Sequence, residues 1–145
     1  MSDHSKTVIL TGASRGIGHA TVQRFSDEGW RIITCSREDV PAECKRNPNW
    51  THHVVADLAD SDSVDRFIAE TDRLLAGGPL HALVNNAAIS PKTPFKERLG
   101  CLNGDVEAWR DVFELNFFAP LTLARGFAKP LHRGKGCIVN ITSIA

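Results

Sequence analysis

Thr11-Gly12-Ala13-Ser14-Arg15-Gly16-Ile17-Gly18 joins two segments of opposite character. Before it, Lys6-Thr7-Val8-Ile9-Leu10-Thr11 is β-rich. After it, Ile17, Thr21 and Phe25, with Ala20 alongside, recur at the spacing of one helical face and predict a helix that stops near Gly29. Glycines let the chain turn tightly between the two and let a ligand approach the backbone with no Cβ in the way. The unpaired N–H groups at the helix start then face an anion, assisted by the helix dipole. No Gly-Lys-Ser/Thr follows, which excludes a P-loop. Strand-to-helix turns also use glycine for structure alone, so the surroundings must decide.

Working outward, short apolar runs alternate with helical patterns. Trp30 to Ser36 reads as a second strand, and a polar loop with Pro41 and Pro48 leads to a third, His52 to Asp57. After a Ser61-Asp62 start, Val64, Phe67, Ile68, Thr71, Leu74 and Leu75 share one helical face that ends at Gly77-Gly78. Leu80 to Val84 is a fourth strand. A loop with Pro91 and Pro94 precedes a long helix from about Asp105 to Leu131, and Gly136 to Thr142 is the last strand. The strands lack polar alternation, as expected where helices cover both faces of a parallel sheet. The fold class is therefore α/β, a doubly wound parallel sheet.

Composition narrows the function. With 145 residues, 42% of them apolar, the chain can bury the core of one domain but not comfortably of two. Seventeen Lys plus Arg balance seventeen Asp plus Glu, so no basic excess points to nucleic acid. The apolar runs are too short for a membrane span, and Met1-Ser2-Asp3-His4-Ser5-Lys6 lacks the apolar stretch of a signal peptide. Cys35, Cys44, Cys101 and Cys137 form no CxxC pair and read as reduced thiols of a cytoplasmic protein. The six histidines show no metal-ligand spacing, and His52 and His53 are expected on opposite faces of their strand. There is no tyrosine.

The Thr-Gly-x-x-x-Gly-x-Gly spacing resembles that of the short-chain dehydrogenase/reductase family, and further motifs match in order along nearly the whole chain. Asp57, closing the third strand and followed by Leu58, stands where the family uses an Asp to hold the adenine edge. Asn85-Asn86-Ala87-Ala88 resembles its Asn-Asn-Ala-Gly, with the Gly replaced by Ala. Asn116 lies on the long helix, and Asn140-Ile141-Thr142-Ser143 ends the last strand. The resemblance implies a Rossmann-type, dinucleotide-binding domain over residues 1–145. Its cofactor contacts would come from Thr11, Gly12, Ser14, Arg15, Gly16, Ile17, Gly18, Ser36, Arg37, Asp57, Leu58, Asn85, Asn86 and Ala87.

The end of the second strand selects the cofactor. A site selective for NAD normally places a carboxylate there, about 20 residues past the glycine loop, for the ribose 2′-OH. Here the residues are Cys35-Ser36-Arg37. Arg37 can grip a 2′-phosphate in a fork, Ser36 can donate to it, and Arg15 can clamp it from the other side. The expected cofactor is NADP rather than NAD. Glu38 and Asp39 leave open a contact with the ribose instead.

In the family a Ser polarises the substrate carbonyl, a Tyr transfers the proton, a Lys lowers that tyrosine's pKa, and an Asn extends the proton path. Ser143 matches the first role, with Thr142 expected to point to the other face. Asn116 matches the last: it falls within a stripe of Val106, Trp109, Val112, Phe113, Phe117 and Pro120, which predicts a buried amide. Pro120 also denies the Asn116 carbonyl its helical partner, freeing it to hold a water. The segment Ile89 to Leu99 reads equally as part of a substrate mouth or as a surface loop. The family's Tyr-x-x-x-Lys is absent, and the last strand would be a bare edge, so the expectation is a sheet truncated after the fifth strand and inactive alone. The implied enzyme transfers hydride between NADP(H) and a small-molecule carbonyl or alcohol, without nucleic-acid or membrane partners, as a homo-oligomer (tetramer or dimer) in its full-length form. The alternative is a non-catalytic NADP-binding module or inactive truncated product. A methyltransferase-like sheet fits less well, since its ribose site also expects an acid where Arg37 stands.

Overall fold

The computed structural model describes residues 6–40 and 47–143. Cys44 and Pro41, together with the chain's first five and last two residues, lie outside the described residues. Five strands, β1 (Thr7–Thr11), β2 (Arg31–Ser36), β3 (Trp50–Val55), β4 (Ala82–Asn85) and β5 (Cys137–Asn140), form one parallel sheet in the order β3-β2-β1-β4-β5. The chain winds outward from β1 to β3 and then crosses to β4 on the other side. Between β1 and β4 the winding reverses, and open α/β sheets bind ligands beyond the carboxyl ends of strands at such a point.

Both faces of the central strands are covered. Ile9, Ile33 and Leu83 pack on one side with Phe67, Leu123 and Phe127. Val8, Leu10, Ile32, Ala82 and Val84 pack on the other with Val22 and Trp50. The alternation within β1, where every residue is buried, divides its side chains between two cores. Burial pushes the Cys35 thiol up to about 12, against a small lowering by a backbone hydrogen bond from Gly12. That thiol is therefore a packing group. On β3 the register shifts between Ile32 and Ile33, leaving Thr51 as an extra residue, so Trp50 and His53 meet ring to ring at 6.1 Å.

Helix α1 (Gly16–Asp27) follows the glycine loop, but its buried residues are Gly18, Val22 and Ser26. The predicted face of Ile17 and Thr21 is thus displaced by one position, and Ile17 is 65% exposed. The reason is steric: the helix lies so close to the loop that only a glycine fits at the contact. Helix α2 (Ser61–Leu75) begins at Asp60, whose Oδ2 accepts from the Ser63 N–H at 3.1 Å, and buries Val64, Phe67, Thr71 and Leu75.

The single long helix expected from about Asp105 to Leu131 is instead interrupted. It comprises α3 (Val106–Phe113), a π-helical turn at Glu114–Phe118, α4 (Ala119–Gly126) and α5 (Ala128–Gly134). Pro120 cannot donate to the carbonyl four residues back, and the ladder widens ahead of it, the Ala119 N–H reaching Glu114 O. Pro130 falls in the first turn of α5, where no N–H is needed. The expected buried stripe is also corrected. Val106, Phe113 and Phe117 are exposed, and Leu115, Ala119, Leu123 and Phe127 face the sheet. All four residues of β5, an outer strand, are exposed.

Candidate functional site

At the carboxyl edge, two loops are tied across the switch point. Thr11 Oγ1 accepts from the N–H groups of Asn86 and Ala87, each at 3.0 Å. Asn86 Nδ2 donates to the carbonyls of Thr11 and Gly12, each at 3.1 Å. A buried Thr and a short amide at the ends of adjacent strands thus hold the glycine loop in place. Gly12 has φ +70°, and a Cβ there would lie 2.9 Å from the Ala87 Cα. At Gly18 a Cβ would fall 2.0 Å from the Gly12 carbonyl oxygen.

The loop opens into a cavity of about 500 Å³ lined by Gly12, Ser14, Arg15, Gly16, Ile17, Gly18, Ser36, Arg37, Leu58, Asn86 and Ala87, all expected from the sequence. Helix α1 begins beside it. Its N-cap, Arg15, makes no side-chain capping bond, and no acidic residue occupies its first turn. Its first N–H groups and the dipole behind them are thus available to an anion. These donors, with Arg15 and Arg37 in the wall, fit a dinucleotide's phosphates.

Other expected residues are placed differently. Asp57 lies beyond the end of β3, and its Oδ1 accepts from the Ala59 N–H at 3.0 Å, closing a local turn, while its own N–H donates to Ser63 Oγ. The Ser36 hydroxyl, expected to face a phosphate, donates to the Glu38 carbonyl at 2.6 Å. Thr11 acts as a brace behind the cavity wall. Glu38, Ala56, Ala88, Ile89 and Leu115 also line the cavity. The sequence flagged Glu38 only as a neighbour, Ala88 only as the last residue of its Asn-Asn-Ala-Ala motif and Ile89 only as the start of the following segment, while Ala56 and Leu115 carry no signal beyond being apolar.

A second cavity, about 930 Å³, adjoins the first through Ala87, Ala88 and Ile89, and holds Asn85, Asn116, Asn140, Thr142 and Ser143 in its wall. Ser143 follows β5 by three residues, so strand alternation does not separate it from Thr142, and both line the same cavity. Asn85 Nδ2 donates to Asn140 Oδ1 at 2.9 Å across paired strand ends. Asn116 is exposed rather than buried, yet both ends of its amide are engaged: Nδ2 donates to Ile89 O at 2.8 Å and Oδ1 accepts from Ile89 N at 2.9 Å. It clamps the backbone where the two cavities meet. Ile89, Ser90, Pro91, Arg98 and Leu99 complete the wall, and the rest of that segment folds back through a bridge of Lys92 with Arg98. The segment is cavity wall as well as surface.

A family model for short chain dehydrogenases matches residues 6–145. The chain belongs to the short-chain dehydrogenase/reductase family. This dehydrogenase-family chain is 49% identical to the FixR protein of Bradyrhizobium diazoefficiens over 97% of its length and 51% of that protein's. It is 51% identical to a Brucella ovis oxidoreductase of the same family, solved with a partially ordered NAD, at a TM-score of 0.88, covering 96% of this chain and 63% of that one. A metagenomic short-chain oxidoreductase solved with NADP superposes at a TM-score of 0.79 with 25% identity, covering 100% of this chain and 64% of that one. The chain spans about half the length of the curated relatives it matches. Among the described residues no helix is long and apolar enough to cross a membrane.

Proposed function

We propose that this short-chain dehydrogenase/reductase chain is the cofactor-binding portion of an NADP(H)-dependent oxidoreductase acting on a small-molecule carbonyl or alcohol. The carrying observation is the uncapped α1 N-terminus opening into a cavity whose wall also holds Arg15 and Arg37. The loop 12–18 would hold the pyrophosphate, Arg37 and Arg15 the ribose 2′-phosphate, and Leu58 the adenine edge. When bound, the nicotinamide would supply or accept the hydride. Ser143 would donate its hydroxyl to the developing alkoxide in the adjoining cavity, a contribution strongest where water is excluded. Asn116 would maintain the shared wall through Ile89, and its backbone carbonyl, denied an i+4 donor by Pro120, would hold a relay water. No tyrosine occurs in the chain, so these 145 residues are expected to bind NADPH without oxidising it.

The NADP-bound metagenomic relative supports the cofactor choice, and the NAD held by the Brucella ovis enzyme makes it a point for experiment. Glu38 in the wall would favour a ribose hydroxyl, whereas Arg37 favours a phosphate. Homo-oligomerisation is supported by Phe113, Phe117 and Phe118, exposed along the helical segment from α3 to α4. The test is titration with NADP and NAD, repeated on Arg37→Ala. The substitution is expected to cost about 1–3 kcal/mol for NADP and little for NAD. Folded protein that binds neither dinucleotide would remove the whole reading.

A further inference from the structure

Behind the Ser36–Glu38 turn, outside the cavity wall, His53 sits in a chain of hydrogen bonds that can be assigned atom by atom. Trp50 Nε1 is only a donor, and it reaches Thr34 Oγ1 at 2.7 Å. Thr34 Oγ1 lies 2.8 Å from His53 Nδ1. On the other side of the ring, Nε2 is 3.1 Å from the Glu38 carbonyl, which can only accept, and 3.1 Å from Ser36 Oγ. The Ser36 proton is already given to that same carbonyl, so Ser36 too can only accept here. Both acceptors require the imidazole proton on Nε2. Nδ1 is then the nearer acceptor of the Thr34 hydroxyl, at 2.8 Å against 3.4 Å for the His52 carbonyl, and the hydroxyl oxygen in turn accepts from Trp50.

The register explains why the ring is there. Thr34 pairs with His53, and the extra residue in β3 brings Trp50 onto the face of His53. The Glu38 carbonyl therefore receives two donors, one from its own turn and one from the neighbouring strand. That carbonyl closes the turn carrying Arg37 into the cavity wall.

We propose that His53 is a positioning residue for recognition at the adenosine end: through Nε2–H on the Glu38 carbonyl it fixes the turn from which Arg37 meets the 2′-phosphate. The proposal rests on the cofactor reading above and adds a residue that touches no part of the cofactor. His53→Gln keeps a donor near the Nε2 position, His53→Asn keeps only an acceptor near Nδ1, and His53→Leu removes both groups.

The experiment is titration of the purified protein and these variants with NADP and NAD, with circular dichroism and melting to establish folding. His53→Asn and His53→Leu are expected to weaken NADP roughly 10-fold, the loss of about one hydrogen bond's worth of placement. NAD should change less than about twofold, His53→Gln should recover most of the loss, and His53→Leu should have no further effect on NADP in an Arg37→Ala background. A mere packing role would lower the melting temperature and weaken both dinucleotides alike, with no dependence on Arg37. Such a result in folded variants, or unchanged NADP affinity in His53→Asn, overturns the proposal while leaving the cofactor reading intact. Wild-type protein that binds neither dinucleotide overturns both. Should His53→Leu fail to fold, the comparison of Asn with Gln decides.

Discussion

His52 and His53 are neighbours with opposite physical fates. His53 is held by the relay, whereas His52 sits on the other side of β3, with Nδ1 3.0 Å from Thr51 Oγ1. Partial burial lowers the His52 pKa below its ordinary value near 6.5, and the charge of Arg31 lowers it further against an opposing pull from Glu70. The folded state thus prefers the neutral ring, and the unfolded chain binds its proton first as pH falls. Stability from this residue is fully present above about 6.5 and is lost as pH drops through and below that value. His52→Gln should flatten the slope of urea-unfolding stability against pH between about 5 and 7 relative to wild type. An unchanged slope would assign the acid sensitivity to other groups.

At the level of elements, the contact between the glycine loop and α1 sets what the cavity can be. A Cβ on Gly18 would lie 2.0 Å from the Gly12 carbonyl oxygen and 2.6 Å from Asn86 Nδ2. Alanine ordinarily favours a helix over glycine by about 1 kcal/mol. Here overpacking should reverse that gain, for a net loss of about 1–3 kcal/mol. Gly18→Ala should therefore lower the melting temperature and weaken dinucleotide binding together, because the displaced groups are the braces that shape the loop. A variant more stable than wild type would show that the contact relaxes easily. The same level shows where sequence reading met its limit. The strand–loop–helix unit was legible from local chemistry, and the start of α2 was read at Ser61-Asp62, just past the Asp60 that caps it. The π-helical turn before Pro120 was signalled only as a missing hydrogen bond, because how a ladder repairs such a gap depends on what the helix must reach: here, Asn116 meeting Ile89.

Across the whole molecule, α2 and the junction between α4 and α5 meet over the sheet through Phe67 and Phe127, both fully buried, with ring centroids 6.1 Å apart and nearly perpendicular. This contact ties the crossover from β3 to β4 to the helices leading to β5, so it helps hold the two cavities side by side. Phe67→Ala should cost about 3–5 kcal/mol, measured as a lower urea midpoint with little change in slope. A cost below about 1 kcal/mol would mean that the two helical layers are secured elsewhere.

The alternation of strands and helices, the parallel doubly wound sheet and the glycine loop between the first strand and helix followed from the sequence because they rest on local causes: alternating runs of strand and helix, and glycine where the chain turns sharply. Which face each helix buries, and which hydroxyls are already engaged, did not follow. Ser36 and Asp57 are engaged within their own turns, where side chain and backbone compete locally, whereas Asn116 clamps Ile89, a partner brought near only by the packing of the chain. Hydrogen-bonding groups are satisfied by whatever the packed chain brings within about 3 Å, and only the tertiary structure decides that neighbour.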